Sequence, residues 1–300
     1  MISCSLCPRG CKANRSAGVR GFCGETDQVR LARAALHFWE EPCISGTKGS
    51  GTVFFSGCTL RCIYCQNRPI ARGIIGKEIS GKRLVDIFFE LQNKGANNIN
   101  LVTPDHFIPQ IAAAIQEARE RGLTIPFVYN TSSYVTVEAL RLLDGLIDIY
   151  LPDFKYMDET RAKEYSGAPD YPTVAQAALG EMYRQVGPPV FSQVSGEEEP
   201  MLIRGMIVRH LLLPGALTDA KRIVTYLHET YGDGIYLSLM SQYTPPEELS
   251  GHPFLGKKVR KKDYDALVDE AIRLGVECAY IQEGEAADES FIPAFDYEGV

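Results

Sequence analysis

The protein has 300 residues, 45% of them hydrophobic and 23% charged, with a formal net charge of −7, and a chain of this length can bury one large core with at most a small appendage. The acidic balance argues against a nucleic-acid partner, because nucleic-acid-binding surfaces are usually basic. No apolar run reaches the ~20 residues of a membrane span and the first residues lack the apolar core of a secretory signal, so the sequence predicts a soluble cytoplasmic protein without a membrane partner.

The chain begins with a cysteine-rich segment. Cys4, Cys7, Cys11 and Cys23 follow the spacing C-x2-C-x3-C-x11-C, and nine cysteines in a reducing compartment indicate metal ligands rather than disulfides. Four thiolates on Gly- and Arg-rich turns can close around a metal, but this spacing differs from the paired C-x2-C of a zinc ribbon. A second iron–sulfur cluster, a structural zinc ion and unmetallated cysteines are the three alternatives. We call these four residues the N-terminal cysteine block.

Residues 1–50 are interpreted as this metal-binding extension and a connector over 24–51, which ends in the flexible turn "GTKGSG". Residues 51–300 are expected to form one barrel-like domain with a C-terminal extension. Apolar, β-branched segments alternate there with segments of helical period, a pattern typical of parallel β/α architecture. The predicted strands are 52–57, 98–103, 125–131, 147–153, 205–211 and 234–240, with 276–281 as a short seventh.

Helical periodicity separates these strands. Apolar residues repeat with helical spacing from Leu84 to Leu91 and from Phe107 to Ala118, and a glycine follows each segment. A third helix is predicted over 263–274. Six strands fall short of the eight of a closed TIM barrel. The sequence therefore predicts an α/β fold, a partial (β/α)6 TIM-like barrel with a small N-terminal metal-binding extension.

Polar residues directly follow the predicted strands. Parallel sheets bind ligands at the carboxyl ends of their strands, so these residues are candidates for one binding site. Each of them could instead be a helix cap or a hydrogen-bonded core group. The candidates are Thr103, Asp105, Asn130, Thr131, Asp153, Lys155, Arg209 and His210.

Three further cysteines stand after the first predicted strand. Cys58, Cys62 and Cys65 lie in "SGCTLRCIYCQN" with the spacing C-x3-C-x2-C. A structural zinc site closes with four ligands, whereas a cubane 4Fe-4S cluster held by three thiolates keeps one iron open to a small molecule. The motif therefore favours a 4Fe-4S cluster. Three core or zinc cysteines, with a fourth ligand from elsewhere, are the alternative.

This motif, with the aromatic Tyr64 before its last cysteine, resembles that of the radical S-adenosylmethionine (SAM) superfamily. The resemblance implies that the open iron chelates the amino and carboxylate groups of SAM. The reduced cluster then breaks the C–S bond, giving methionine and a 5'-deoxyadenosyl radical that abstracts hydrogen from a substrate. No catalytic acid, base or nucleophile is expected, because the protein holds cluster, SAM and target in line. Tyr64 and Asn67 join the candidate cofactor-binding residues.

Within the superfamily, "GTVFFSGCTLRCIYCQN", "NTSSYV", "IDIYLPDFKYMD" and "IVRHLLLPG" resemble the pyruvate formate-lyase activating enzyme branch, and more narrowly its relatives with an extra N-terminal cysteine block. The resemblance implies a protein or peptide substrate such as a glycyl radical enzyme, and an electron donor such as flavodoxin or ferredoxin. The second functional class is a radical SAM enzyme that modifies another peptide, protein or small molecule with an auxiliary metal centre. A zinc-stabilised, non-enzymatic interaction module is a distant third.

One departure from that branch concerns SAM binding. Activating enzymes usually carry Gly-Gly-Glu after the second strand, where this chain has "TPDH". We hypothesise that Asp105, with Thr103, receives the SAM ammonium group. Helix capping by Asp105 is the alternative.

The resemblance also implies a monovalent cation beside the SAM carboxylate. Asp153 matches one of the acidic ligands of that cation, but Asn130 stands where the other would be. Arg209 and His210 are candidates to contact the SAM ribose or carboxylate. A histidine buried and hydrogen-bonded in the core is the alternative for His210.

Two features lie beyond the predicted barrel. The basic run "KKVRKK" is interpreted as a solvated face, with contact to an acidic partner as the alternative. In the acidic tail, Phe291, Ile292 and Phe295 are expected to dock on the barrel unless the tail is disordered.

Overall fold

The structure is a computed structural model that describes residues 4–282 and 293–300. Its strands are β1 (Arg30–His37), β2 (Ser50–Phe55), β3 (Lys77–Glu78), β4 (Ile99–Val102), β5 (Phe127–Thr131), β6 (Ile149–Pro152), β7 (Val190–Ser192), β8 (Met201–Leu211), β9 (Tyr236–Met240) and β10 (Ala279–Ile281). They form one sheet in the order β10-β9-β8-β6-β5-β4-β2-β1-β3, and β7 pairs with β8 outside this path.

Helices connect and cover the strands. The α-helices are α1 (Pro42–Ser45), α2 (Arg68–Ala71), α3 (Gly81–Asn93), α4 (Ile108–Glu120), α5 (Val137–Leu140), α6 (Glu159–Ser166), α7 (Tyr171–Val186), α8 (Leu217–Tyr231) and α9 (Lys261–Leu274). Single 3-10 turns lie at Arg15–Ala17, Asp105–Phe107, Arg141–Leu143, Gly232–Gly234 and Glu247–Leu249. Across residues 4–282 and 293–300, no helix is long and apolar enough to cross a membrane.

The parallel part of the sheet agrees with the sequence prediction. The six predicted strands are confirmed as β2, β4, β5, β6, β8 and β9, and the short seventh is confirmed as β10. Each of these strands runs parallel to its neighbours in that series. The described sheet has β3 and β10 at its two ends, so it is open. This confirms a partial TIM-like barrel.

Local sequence explains why the helices form and pack against the sheet. The Ser80 side chain caps α3 by accepting a hydrogen bond from the Arg83 amide at 3.1 Å. Helix α4 turns Ile111 and Ile115 inward, where both are fully buried. Burying one such side chain contributes about 1.5–3 kcal/mol. All residues of β2 are buried as well, as expected of a strand in a parallel sheet that is covered on both faces.

The segment 24–51, predicted to be a connector, contains an antiparallel strand instead. Strand β1 pairs antiparallel with β2, and Leu31 and Ala34 of β1 are buried. An antiparallel neighbour needs no crossover helix, so β1 lies outside the β/α repeat on which the strand predictions depend. The proposed division after residue 50 falls inside β2, after its first residue, and separates β2 from its partner β1.

The last residues of the chain lie along β1. The backbone of residues 297–298 hydrogen-bonds to this strand. Phe295 packs edge-on against Phe54 with ring centroids 5.5 Å apart, which confirms its predicted docking. Phe291 and Ile292, for which the same docking is predicted, lie outside the described residues.

The burial of His210 makes the fold sensitive to acid. Its Nδ1 atom lies 2.7 Å from the Phe154 carbonyl oxygen, and burial lowers the pKa of His210 to about 4. In the unfolded chain a histidine titrates near ~6.5. Below that pH the unfolded state gains a proton that the folded state does not bind, so stability present above pH ~6.5 is lost as the pH falls toward about 4.

We predict that the wild type loses about 2 kcal/mol more free energy of unfolding between about pH 7 and pH 5 than His210→Gln does. Denaturant unfolding of the anaerobic protein at the two pH values measures the difference. His228→Gln, on α8, is the control and should keep the wild-type loss. An identical pH dependence in wild type and His210→Gln would contradict the prediction.

Candidate active site

A cavity of about 280 Å³ opens at the carboxyl ends of the parallel strands. Thiols, charged groups and aromatic rings from separate strand-end loops share its wall. Of the residues predicted from the sequence, those that line it are Cys58, Cys62, Tyr64, Cys65, Asn67, Thr103, Asn130, Thr131, Asp153, Lys155 and Arg209. The strand ends therefore converge on one site, as parallel topology predicts.

The three-cysteine loop (residues 58–65) follows β2, and hydrogen-bond donors face two of its sulfurs. The amides of Leu60 and Arg61 each donate to Cys58 Sγ at 3.4 Å. The Ser166 hydroxyl donates to Cys62 Sγ at 3.1 Å. Hydrogen bonds to sulfur stabilise a thiolate and tune the potential of an iron–sulfur cluster.

The protonation of these cysteines indicates ligands rather than nucleophiles. Burial raises the pKa of Cys58 to about 11 and the pKa of Cys65 to about 12. Alone, both thiols stay protonated at neutral pH, so neither is an activated nucleophile. A bound metal removes the proton of a coordinating thiol. Buried thiols with donors aimed at sulfur therefore suit metal ligation.

The number of thiols in the loop distinguishes a single ion from a cluster. Cys62 lies close enough to Cys58 and Cys65 to raise the pKa of each, in addition to the larger effect of burial. A structural zinc site closes with four ligands, whereas three thiolates can hold a 4Fe-4S cluster. The three-cysteine loop therefore fits a cluster better than zinc.

Tyrosines enclose the cysteines. The Tyr156 hydroxyl donates to the Tyr64 hydroxyl at 2.8 Å and lies 2.9 Å from the hydroxyl of Ser166. The rings of Tyr165 and Tyr243 stand edge-on to Tyr64, each with centroids 6.2 Å away. We call these rings the tyrosine shell. Because they are buried, they keep water away from this side of the site.

The guanidinium of Arg209 is the centre of a buried charge network. It donates to Asp153 Oδ1 at 3.0 Å, to Asn130 Oδ1 at 2.6 Å and to Glu40 Oε2 at 3.2 Å. The Lys155 ammonium donates to Asp153 Oδ2 at 2.7 Å. Burial alone would raise the pKa of Asp153, but the two cations outweigh it and hold that pKa below its usual range. Asp153 is therefore charged at neutral pH.

Arg209 lies where the resemblance implies a monovalent cation. That cation is expected beside Asn130 and Asp153. The guanidinium contacts both residues, so a side chain already places a positive charge between them.

Two predicted residues do not line the cavity. Asp105 is fully buried, and its carboxylate accepts hydrogen bonds from Thr131 Oγ1 at 2.6 Å and from Tyr129 at 3.0 Å. It makes no helix-cap bond, so the geometry does not support the capping alternative. The SAM-ammonium hypothesis stays a prediction. His210 is buried against the Phe154 carbonyl, in agreement with its core alternative.

Backbone strain marks the loop after β4. Thr103 has φ +57, a left-handed conformation that β-branched residues rarely adopt. Such outliers cost about 1–3 kcal/mol and occur most often at functional sites. The Thr103 amide donates to the Asn130 carbonyl at 2.9 Å, which holds the strained residue against the cavity.

Comparison with known proteins identifies the core of the chain. Residues 52–185 match the family described as the Radical SAM superfamily. These residues form a radical SAM domain. The domain runs from β2 into α7, and so contains the three-cysteine loop and the strand ends after β4, β5 and β6.

Other known proteins are similar to a larger part of this chain. An uncharacterized protein of Methanocaldococcus jannaschii is 24% identical over 286 residues, which cover 93% of this chain and 77% of the relative. HydG, the FeFe-hydrogenase maturase of Carboxydothermus hydrogenoformans, aligns with a TM-score of 0.54 at 15% identity, over 78% of this chain and 54% of HydG. SuiB of Streptococcus suis, solved bound to precursor peptide SuiA, aligns with a TM-score of 0.50 at 14% identity, over 76% of this chain and 46% of SuiB. The chain spans about half the length of these solved proteins.

Part of the cavity wall lies outside the matched radical SAM domain. His37, Trp39 and Glu40, at the end of β1, line the cavity. The connector interpretation of 24–51 misses all three. The sequence signal for strand β1 is weak, because "RLARAALH" is rich in Ala and Leu, which favour helix over strand.

We predict that Arg209→Gln lowers the free energy of unfolding by about 3–5 kcal/mol, because removal of one partner leaves buried charges unpaired. Urea denaturation of the anaerobic protein measures this loss. Arg121→Gln is the control, since the ion pairs of Arg121 with Glu117 and Asp86 are exposed, and it should cost at most about 1 kcal/mol. Equal losses in the two variants would show that the Arg209 network does not stabilise the fold.

Proposed function

We propose that the protein cleaves SAM reductively at a 4Fe-4S cluster held by Cys58, Cys62 and Cys65, and abstracts a hydrogen atom from a peptide or protein substrate. The observation that carries this proposal is the shared cavity, whose wall combines three thiols with the Arg209 charge network. The thiols suit a cluster. A network with both cationic and anionic groups suits a ligand that, like SAM, carries a carboxylate and an ammonium group.

When bound, the cluster supplies one electron to SAM. The side chains of this protein bind SAM and orient it. Arg209 and Lys155 offer cationic donors to the SAM carboxylate, and Glu40 and Asp153 offer acceptors to its ammonium group. The tyrosine shell excludes water, so that a reactive radical meets only its substrate.

The rim of the cavity supports a large substrate. Trp39 lines the cavity and is 62% exposed, and its neighbour Phe38 is 49% exposed. Exposed aromatic residues are enriched in protein interfaces. A backbone glycine of a glycyl radical enzyme is our first candidate target, in keeping with the resemblance to activating enzymes. A cytoplasmic location and an electron donor such as flavodoxin or ferredoxin belong to the same proposal.

Modification of another peptide, protein or small molecule is the second candidate. The N-terminal cysteine block favours it, because abstraction from glycine needs no auxiliary metal centre. SuiB, a structural neighbour, was solved with a precursor peptide, so a peptide is our preferred substrate class here too. The third class, a zinc-stabilised interaction module, loses support because the matched domain is that of a superfamily of enzymes.

We predict that Asp153→Asn weakens SAM binding about tenfold or more, whereas Asp105→Asn changes it less than about threefold. Asp153 lines the cavity and holds both cationic side chains, and a charge-assisted hydrogen bond is worth about 1.5–3 kcal/mol. Asp105 does not line the cavity. Equilibrium dialysis of reconstituted protein against SAM measures both affinities. A larger loss in Asp105→Asn would instead support the hypothesis that Asp105 receives the SAM ammonium group.

The target class can be tested by label transfer. A peptide from the glycyl-radical segment of a candidate partner, deuterated at the glycine α-carbon, is incubated with protein, SAM and dithionite. We expect deuterium in 5'-deoxyadenosine by mass spectrometry, none with Cys62→Ala, and wild-type transfer with the control Cys278→Ala. 5'-Deoxyadenosine without deuterium would favour the second candidate. No SAM cleavage at all by the reconstituted wild type would refute the proposed function.

A further inference from the structure

The N-terminal cysteine block gathers four thiols in a segment, residues 4–29, that contains no strand. The sulfurs of Cys11 and Cys23 lie 3.4 and 3.3 Å from the position that a Cβ on Gly21 would take, so a larger residue there would crowd both. The sulfurs of Cys11 and Cys23, the last two cysteines of the block, thus lie side by side, as ligands of one metal centre do.

The block lies directly against the three-cysteine loop. The Cys58 amide donates to the Cys23 carbonyl at 3.3 Å, so a single hydrogen bond joins one cysteine of each set. Gly57 permits this approach, since a Cβ at that position would lie 2.8 Å from the same carbonyl. Arg9 fastens the two segments by donating to the Thr59 carbonyl at 2.8 Å.

Iron–sulfur ligation fits the block better than zinc. Structural zinc sites usually take their ligands from paired C-x2-C motifs. The C-x2-C-x3-C spacing of the block differs from that pairing. The block also adjoins the three-cysteine loop, whose motif favours a 4Fe-4S cluster.

The outer side of the block is exposed and basic. Cys11, Lys12 and Arg20 are exposed, and residues 4–23 contain no Asp or Glu. This contrasts with the net charge of −7 on the whole chain. Complementary charge steers the encounter of proteins. A basic surface around an exposed ligand therefore suits contact with an acidic redox protein.

We infer that the N-terminal cysteine block holds a 4Fe-4S cluster that takes one electron at a time from an acidic, low-potential donor protein and passes it to the cluster of the three-cysteine loop. In each transfer the donor is oxidised by one electron and the loop's cluster is reduced by one. No bond or proton is exchanged at the block. The route runs from the exposed Cys11 side through Cys23 to Cys58. The inference rests on the proposed function, which consumes the electron.

Metal content tests the first half of the inference. Anaerobically reconstituted wild type and the control Cys278→Ala should bind about eight irons, and a variant with all four block cysteines replaced by alanine should bind about four, as two cubane clusters require. The variant should keep the EPR signal of the loop's cluster. About four irons and one zinc in the wild type would overturn the inference. If the fourfold variant does not fold, Cys11→Ala replaces it, because this side chain is exposed. An EPR spectrum identical to the wild type would then also overturn the inference.

Electron transfer tests the second half. Reduced flavodoxin is mixed with the protein, and freeze-quench EPR follows reduction of the loop's cluster. We expect the fourfold variant and Lys12→Glu/Arg20→Glu to be reduced about tenfold more slowly at low salt, with a smaller difference for the charge variant at high salt. The control Lys262→Glu, at the exposed start of α9, should match the wild type. Wild-type rates in the fourfold variant would overturn the relay, and wild-type rates in the charge variant would overturn the entry route.

The two proposals fail separately. Dithionite reaches a cluster without a donor protein, so SAM cleavage driven by dithionite reports on the proposed function alone. If cleavage occurs but the relay variants are reduced at the wild-type rate, only the relay inference is wrong. If two clusters are present and no SAM is cleaved, only the proposed function is wrong.

Discussion

The buried guanidinium of Arg209 is the interaction on which the candidate site depends. It joins β8 to Asn130 on β5, to Asp153 after β6 and to Glu40 after β1. Burying each charge costs several kcal/mol, and this cost is offset only when geometry and hydrogen bonding are good. The four side chains therefore have few alternative positions. A preformed set of charges is what orienting a charged cosubstrate requires, because no reorganisation is then needed on binding.

The N-terminal segment is stabilised differently, because it has little core of its own. Arg9 donates to four backbone carbonyls, two on the three-cysteine loop and two at the C-terminal end of α6, and lies over the ring of Phe22 at 4.0 Å. Glu25 is fully buried and pairs with Arg30 at 2.9 Å, which ties the segment to the start of β1. Metal binding adds directly to folding free energy in such segments. A filled cysteine block would therefore also hold the three-cysteine loop in place, since the two share the Cys23–Cys58 hydrogen bond.

The parallel strands and the three-cysteine loop could be predicted from the sequence, because buried strands, amphipathic helices and short motifs are local signals. Strand β1 could not, since its Ala-rich sequence lacks strand propensity and its antiparallel pairing breaks the β/α repeat. Glu40 could not be predicted for a different reason. Its partner Arg209 lies 169 residues further along the chain, and no local pattern reports such a contact. The sequence predicts the strand end at which Asp105 lies, but the orientation of its side chain depends on Tyr129 of the neighbouring strand β5.

Two carboxylates at nearby strand ends show that surroundings decide the role of a residue. Burial acts to raise the pKa of both Asp105 and Asp153. Two cationic side chains reverse this for Asp153, which stays charged on the cavity wall. Asp105 has only the hydroxyl groups of Thr131 and Tyr129, and its pKa remains raised, at about 6. Neutral donors compensate a buried charge less than cations do. Asp105 consequently acts on the cavity through Thr131, whose side chain it fixes, while Asp153 can meet a charged ligand itself.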